Sequence, residues 1–308
     1  MQDNYQIITD AVLELMDQHG SDWCKPWQVQ AGAGHHNVQT GKSYNGTNIF
    51  LLAVSAMKQN FSSNEWGTFN QWFTLGGGKR EKINGKWVVT KQSKYKVKPK
   101  GTKIIFFDKI KVEDKETQEE KLIPMLRGYT VFNADQVEGY TPVPVEPITE
   151  TKARHDRSEA LIAATGAEIR FGGDRAFYVP SQDFVQMPVL EDFKGTDTSS
   201  DVETYYSTMF HELTHWTGAK GRMDRKMIGK FGSNAYAFEE LIAELGAVFL
   251  TCQVGINVAP RADHAKYLNN WLEVIKSDKR AMVKAFAQAQ KASDFILSFE
   301  QAEQAQTA

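Results

Sequence analysis

Cysteine is scarce in this chain of 308 residues: there are two, Cys24 and Cys252, far apart and in no CxxC pair. That excludes a disulfide framework and a thiolate zinc cluster, and it suits a reducing cytoplasm. Long apolar runs are missing too. No stretch approaches the roughly 20 apolar residues that a membrane span requires. The opening residues, MQDNYQIITDAVLEL, carry acids where a signal peptide carries positive charge. Location in the cytoplasm, without membrane contact, is the expectation. Net charge is also small, with 36 Lys and Arg against 38 Asp and Glu. No whole-molecule field favours a polyanion, so any nucleic-acid signal has to come from local clustering.

Proline is sparse but concentrated. Three of the nine prolines, Pro142, Pro144 and Pro147, fall in "TPVPVEPI". They read as a stiff extended linker over 141–150, joining a domain at 1–140 to a second at 151–308. No internal repeat is visible. The first half opens with a helix over Gln6–Gln18, then a tryptophan-rich loop and a helix from about Gly46. "EWGTFNQWFTLGG" reads as a short helix closed by glycine, and strand-like patterns follow from Lys79. The second half has a helix from His155, three short strands, and then helices near 202–217, 235–254, 264–277 and 279–290. Both halves are α+β. The tail "EQAEQAQTA" reads as a fraying end or disorder.

The chemistry-bearing motif is "TMFHELTHWTG", residues 208–218. His211 and His215, four apart, project from one side of a helix. Ser200 and Glu203 form a capping box at its start, and Gly218 stops it. Glu212 sits where it can take a proton from a water activated by a metal held on the two imidazoles. Two histidines need a third ligand. "YAFEELIAELGAVFL" supplies two carboxylates on one helix face, Glu240 and Glu244. Glu240 is the expected metal ligand, and Glu244 is expected to orient a ligand histidine. Glu239 competes for the ligand role. Such a His2Glu set favours one zinc ion, with manganese an alternative. Tyr236, one turn before Glu240, is placed to support a developing oxyanion. Tyr205 and Tyr206 compete, with core packing the ordinary role of each, and His264 reads as a capping or packing residue. The strand "AFYVPSQDFVQMP" reads either as plain sheet or as an edge that aligns an extended peptide.

Between Lys79 and Lys111 there are twelve basic residues against two acids, Glu81 and Asp108. In "KYKVKPK", Lys94, Lys96, Lys98 and Lys100 alternate with Tyr95, Val97 and Pro99, which at period 2 sends the ammonium groups to one face. Lysines protect edge strands from aggregation. This excess, with Lys79 and Arg80 among it, goes beyond that and would attract a phosphate backbone. The aromatics Trp23, Trp27, Tyr44, Trp66, Phe69, Trp72, Phe73, Trp87 and Tyr95 accompany it. Most must be core, and two or three are candidate stacking platforms for unpaired bases, with Trp72 and Tyr44 among the expected contacts. In "TGKSYNGTN", Lys42, Tyr44, Asn45 and Asn48 form the expected contact loop. No duplex-reading motif is present, so single-stranded DNA is the expected partner.

These segments resemble the ArdC-type antirestriction proteins carried by conjugative plasmids. The matching stretches are "TGKSYNGTNIFLL", "WGTFNQW" followed by "LGG", "KGTKIIFF" and "YTVFNADQVEG". In the second half they are "YYSTMFHELTHWTG", "FGSNAYAFEELIAELGAVFL" and "LNNWLEVIKSDKRAMVKAFAQA". The resemblance spans about residues 5–295. It implies a small mixed α/β domain that binds single-stranded DNA, followed by a zincin-like metallopeptidase domain. It also implies protection of incoming plasmid DNA from restriction; it does not give the peptidase substrate, for which a restriction-system protein is one candidate. One local departure is "INGKWVVTKQSKYK", where the family often has a shorter turn. Two other readings stay open: a DNA-binding protein with a structural or inactive metal site, and a primase-associated accessory protein.

Overall fold

The structure, a computed structural model, describes residues 3–20, 23–24, 34–113, 120–144, 151–195, 199–225, 233–256 and 264–307. Trp27 and residues 145–150 of the expected linker lie outside them, as does the side chain of His264. The chain forms two compact units, one of residues 1–4 and 34–145, the other of residues 5–33 and 146–308.

The first unit is built on a four-stranded sheet in the order β1-β2-β7-β6, with β1 His36–Asn37, β2 Glu65–Thr68, β6 Thr102–Glu113 and β7 Glu120–Asn133. Only β1 and β2 run parallel; β2–β7 and β6–β7 are antiparallel. Helix α2, Thr47–Gln59, packs its buried Leu52 and Ala56 with Trp66, Ile104 and Val131. Gly46 precedes it with φ 53° and ψ −129°, a conformation that favours glycine. The segment expected to be all helix begins as strand β2. Thr68 then caps α3, Phe69–Leu75, through a reciprocal box with Gln71, so the helix starts only there. Two small sheets complete the unit: the hairpin of β3 Lys79–Ile83 with β4 Lys86–Lys91, and the pair β5 Lys96–Val97 with β8 Val137–Glu138. A buried histidine, His35, accepts a hydrogen bond at Nδ1 from Trp66 Nε1 at 3.0 Å. Burial, aided by the neighbouring His36, lowers its pKa to about 4, so it is neutral at pH 7.

The second unit takes in the N-terminal helix α1, Asn4–His19, which departs from a simple cut at 140. An apolar stripe of Ile8, Val12, Leu15 and Met16 has to be covered, and it is buried. Thr9 Oγ1 donates to the Lys279 carbonyl at 3.1 Å, and the Arg280 guanidinium lies over the Tyr5 ring. Beyond α4, Thr151–Ala164, a three-stranded sheet runs in the order β10-β11-β9, from Phe177–Val179, Phe184–Met187 and Glu168–Phe171. Four helices follow: α5 Asp201–Thr217, α6 Asn234–Val254, α7 His264–Ser277 and α8 Ala281–Thr307. Helix α8 runs on through the tail expected to fray, whose Ala, Glu and Gln are strong helix formers.

The core here gathers Leu161, Val185, Met187, Phe210, Leu213 and Leu250. Helices α5 and α6 approach closely where Gly246 faces Thr214. A Cβ on Gly246 would lie 2.5 Å from Thr214 Cγ2 and Oγ1, a separation real side chains do not adopt. Among the described residues, no helix is long and apolar enough to cross a membrane.

Candidate metal centre

Helix α5 starts as its sequence predicts, with Ser200 and Glu203 exchanging both capping-box hydrogen bonds. Its middle is deeply buried, and His211 and Glu212 are 2% and 3% exposed. The helix places His211 and His215 one turn apart, with their Nε2 atoms 3.1 Å from each other. Helix α6 brings Glu240 to the same point. Its Oε2 lies 3.5 Å from His211 Nε2, and its Oε1 lies 3.5 Å from His215 Nε2. The three ligand atoms all fall within 4.8 Å of one another.

That donor set fits a divalent metal. Two imidazole nitrogens and a carboxylate converge in a buried place, the arrangement borderline divalent ions favour. His211 Nδ1 is buried without a hydrogen bond, facing Glu244 Oε2 at 3.7 Å. The electrostatics also ask for a cation. Burial opposes charge on His215, yet hydrogen bonds to Glu239 and Glu240 overcome it and push its pKa up to about 10. Burial likewise opposes charge on Glu240, but hydrogen bonds from His211 and His215 hold it well below the ordinary carboxylate range. A bound metal would supply the positive charge that a proton supplies in its absence.

Glu239 is not an ordinary surface acid but a buried one, and it belongs to the support of the site. Its Oε1 lies 3.2 Å from His215 Nδ1. Arg225 grips it with two nitrogens, Nη2 to Oε1 at 2.8 Å and Nε to Oε2 at 3.2 Å. The same guanidinium donates to the Thr214 carbonyl and to Thr217 Oγ1, both at 2.6 Å. Arg225 therefore ties the end of α5 to the carboxylate that orients His215. Sequence reasoning missed it, because it lies in the turn after α5, outside any helical spacing. Partners of this kind typically change metal affinity by about 10–100-fold. Replacing Arg225 with methionine should weaken metal binding by an amount in that range, read by competition with a chromophoric chelator, while the helical content stays as it was.

The remaining expected residues divide. Tyr236 lies in the first turn of α6, one turn before Glu240, partly exposed. Tyr205 and Tyr206 are core residues; Tyr205 packs edge-on against Phe193, and the Tyr206 hydroxyl donates to Glu159. In the first unit, Lys42, Asn45, Lys79, Arg80, Lys94, Lys96 and Lys98 are exposed. Only Lys96–Val97 of "KYKVKPK" is strand, yet the alternation holds, with the lysines outward and Tyr95 and Val97 packed inward.

Three expected DNA contacts turn inward. Trp72 is fully buried and its Nε1 donates to the Phe132 carbonyl at 3.0 Å. Asn48 is buried and bridges to Ile105, donating to its carbonyl at 2.7 Å and accepting from its N–H at 2.9 Å. Tyr44 packs in the core, where its hydroxyl accepts from Asn37. Each fills a structural need of the domain and presents no face to a ligand. Of the other rings named, Trp87 is exposed at 71% and Phe69 at 45%.

Residues 2–132 match the family described as the N-terminal domain of anti-restriction factor ArdC, and residues 156–288 match the zincin-like metallopeptidase family. A crystal structure of the antirestriction protein ArdC from plasmid R388, metal-free, superposes with a TM-score of 0.75 at 35% identity, covering 97% of this chain and 98% of that one. Its Mn(II)-bound form superposes with a TM-score of 0.73 at 33% identity and the same coverage. The uncharacterized protein y4eC of Sinorhizobium fredii is 35% identical over 96% of this chain and 91% of its own length. A DNA primase TraC of Escherichia coli is 33% identical, but this chain spans only 27% of it.

Proposed function

The chain belongs to the ArdC antirestriction family, with a zincin-like domain that supports a divalent metal, and on that premise we propose a two-part activity. The unit of residues 34–145 engages single-stranded DNA, and the unit that takes in α1 and residues 146–308 carries a metallopeptidase site. The observation that carries the second part is the convergence of His211, His215 and Glu240, with Glu212 beside them on the same buried helix.

His211 and His215, with Glu240, would hold the ion, and zinc suits this donor set best, with manganese the alternative. When bound, such an ion lowers the pKa of a coordinated water to about 7 and polarises a substrate carbonyl. Glu212 takes the proton of the attacking water and passes it to the leaving amine. Glu239 holds the His215 ring through its Nδ1 edge and Arg225 holds Glu239; Glu244 faces the Nδ1 edge of His211, and Tyr236 assists at the developing oxyanion. On this reading the protein acts in a recipient cytoplasm and protects incoming plasmid DNA, which the ArdC likeness supports, and a protein of the restriction system is the candidate substrate.

A second reading keeps the DNA part and makes the metal structural. The exposed basic hairpin β3–β4 favours it, since it is present whatever the metal site does. A third, an accessory module of priming, is favoured by the TraC likeness. Transfer of a restriction-sensitive plasmid into a restricting recipient separates them. The peptidase reading expects wild type to protect and Glu212→Gln not to; equal protection by both would pass the role to DNA binding alone.

A further inference from the structure

We propose that the cleft between α3 and the β3–β4 hairpin is a nucleobase pocket, in which one unpaired base of a single strand stacks on Trp87. This rests on the single-strand reading above and assigns it a place. The cleft has a volume of about 300 Å³ and is lined by Asn70, Phe73, Thr74, Gly78, Arg80 and Trp87.

Its chemistry follows from the register of the hairpin. Lys82 pairs with Trp87 and Arg80 with Val89, while Glu81 pairs with Val88 and Ile83 with Lys86. Side chains alternate along a strand, and directly paired residues share a face. Arg80, Lys82, Trp87 and Val89 therefore stand on one face. The acid of β3, Glu81, stands on the other, where Thr90 donates to it. The face that lines the cleft thus carries two cations and an indole, with the carboxylate turned away.

The floor is already ordered. Phe69 and Phe73 stack with centroids 6.3 Å apart at 20°. The Arg80 guanidinium lies 4.8 Å from the Phe73 centroid and 5.7 Å from that of Phe69, and Nη1 donates to Asn70 Oδ1 at 2.9 Å. Gly78 makes this possible, since a Cβ there would lie 2.5 Å from the Phe73 ring. A planar cation fixed on aromatic rings, an exposed indole and Lys82 on the same face form what an unpaired base with flanking phosphates requires. An apolar protein segment would fit the rings but would leave Arg80 and Lys82 facing no acid.

The test uses the full chain and a fluorescein-labelled single-stranded oligodeoxynucleotide, intact or abasic throughout. Trp87 is exposed, so its substitution leaves the fold intact. Trp87→Ala should weaken binding of the intact strand by roughly tenfold, and Trp87→Phe should recover most of it. Wild type should bind the abasic strand as weakly as Trp87→Ala binds the intact one. Lys82→Ala should lower the salt dependence while keeping the preference for intact over abasic strand. Wild-type affinity in Trp87→Ala, or equal binding of both strands by wild type, overturns the pocket while leaving DNA binding standing. Failure of wild type to bind any single strand overturns the DNA reading and the pocket with it.

Discussion

Replacing His211 with alanine leaves the chain without a bound divalent ion. Wild type, purified without chelators, should carry roughly one per chain, and His211→Ala should carry almost none by mass-spectrometric metal analysis. With His211 gone, one imidazole and one carboxylate remain, and a two-ligand site holds an ion far less tightly than the three-ligand site of a zinc hydrolase. The loss should exceed the roughly 10–100-fold expected of a supporting residue. The ring is buried, so its removal also lowers stability. Glu240→Gln separates the two effects, since it keeps the shape and weakens the ligand, and it too should lose the ion. Thermal unfolding gives a second readout: added metal should raise the Tm of wild type and leave both variants unmoved. Full occupancy in both variants would mean that the ion, if any, sits elsewhere.

Glu212→Gln should do the reverse, keeping the metal and losing the chemistry. The amide is nearly isosteric with the carboxylate, so packing around this buried position is preserved. It cannot accept the proton of the attacking water. General acid–base groups contribute about 10²–10⁴-fold, and a loss of that size is expected in the cleavage of a denatured protein such as casein at saturating metal. Wild-type metal content is the control. Cleavage by Glu212→Gln at the wild-type rate would remove this glutamate from the reaction. Metal loss in Glu212→Gln would instead make it a structural part of the site.

What was legible in the sequence was whatever lives on one helix. The His211–His215 spacing, the Ser200–Glu203 box and the Glu240–Glu244 pair are periodic signals, and the structure carries each as a helical feature. Glu239 was legible as a residue but not as a role. Adjacent positions on a helix point about 100° apart, and the way α6 crosses α5 decides which carboxylate meets the Nε2 edge and which the Nδ1 edge. Arg225 was invisible, because its four contacts to Glu239, Thr214 and Thr217 arise only from tertiary packing. The same limit applies to the rings. Trp72 and Trp87 each follow a polar residue and precede an apolar one along the chain, and only a carbonyl sixty residues away, that of Phe132, shows which one is inside. The helix α1 joined the second unit for a similar reason: its stripe announced burial without naming the cover.

The contact of Gly246 with Thr214 reaches beyond packing. It lies off the ion-binding group, yet it fixes the gap across which Glu240 faces two imidazoles, much as a hinge pin fixes the bite of a pair of pliers. Since interiors yield little to compression, the jaws are held near their working separation before any ion arrives. Capture then costs little reorganisation, and the grip is governed in part by a residue that never touches what is gripped.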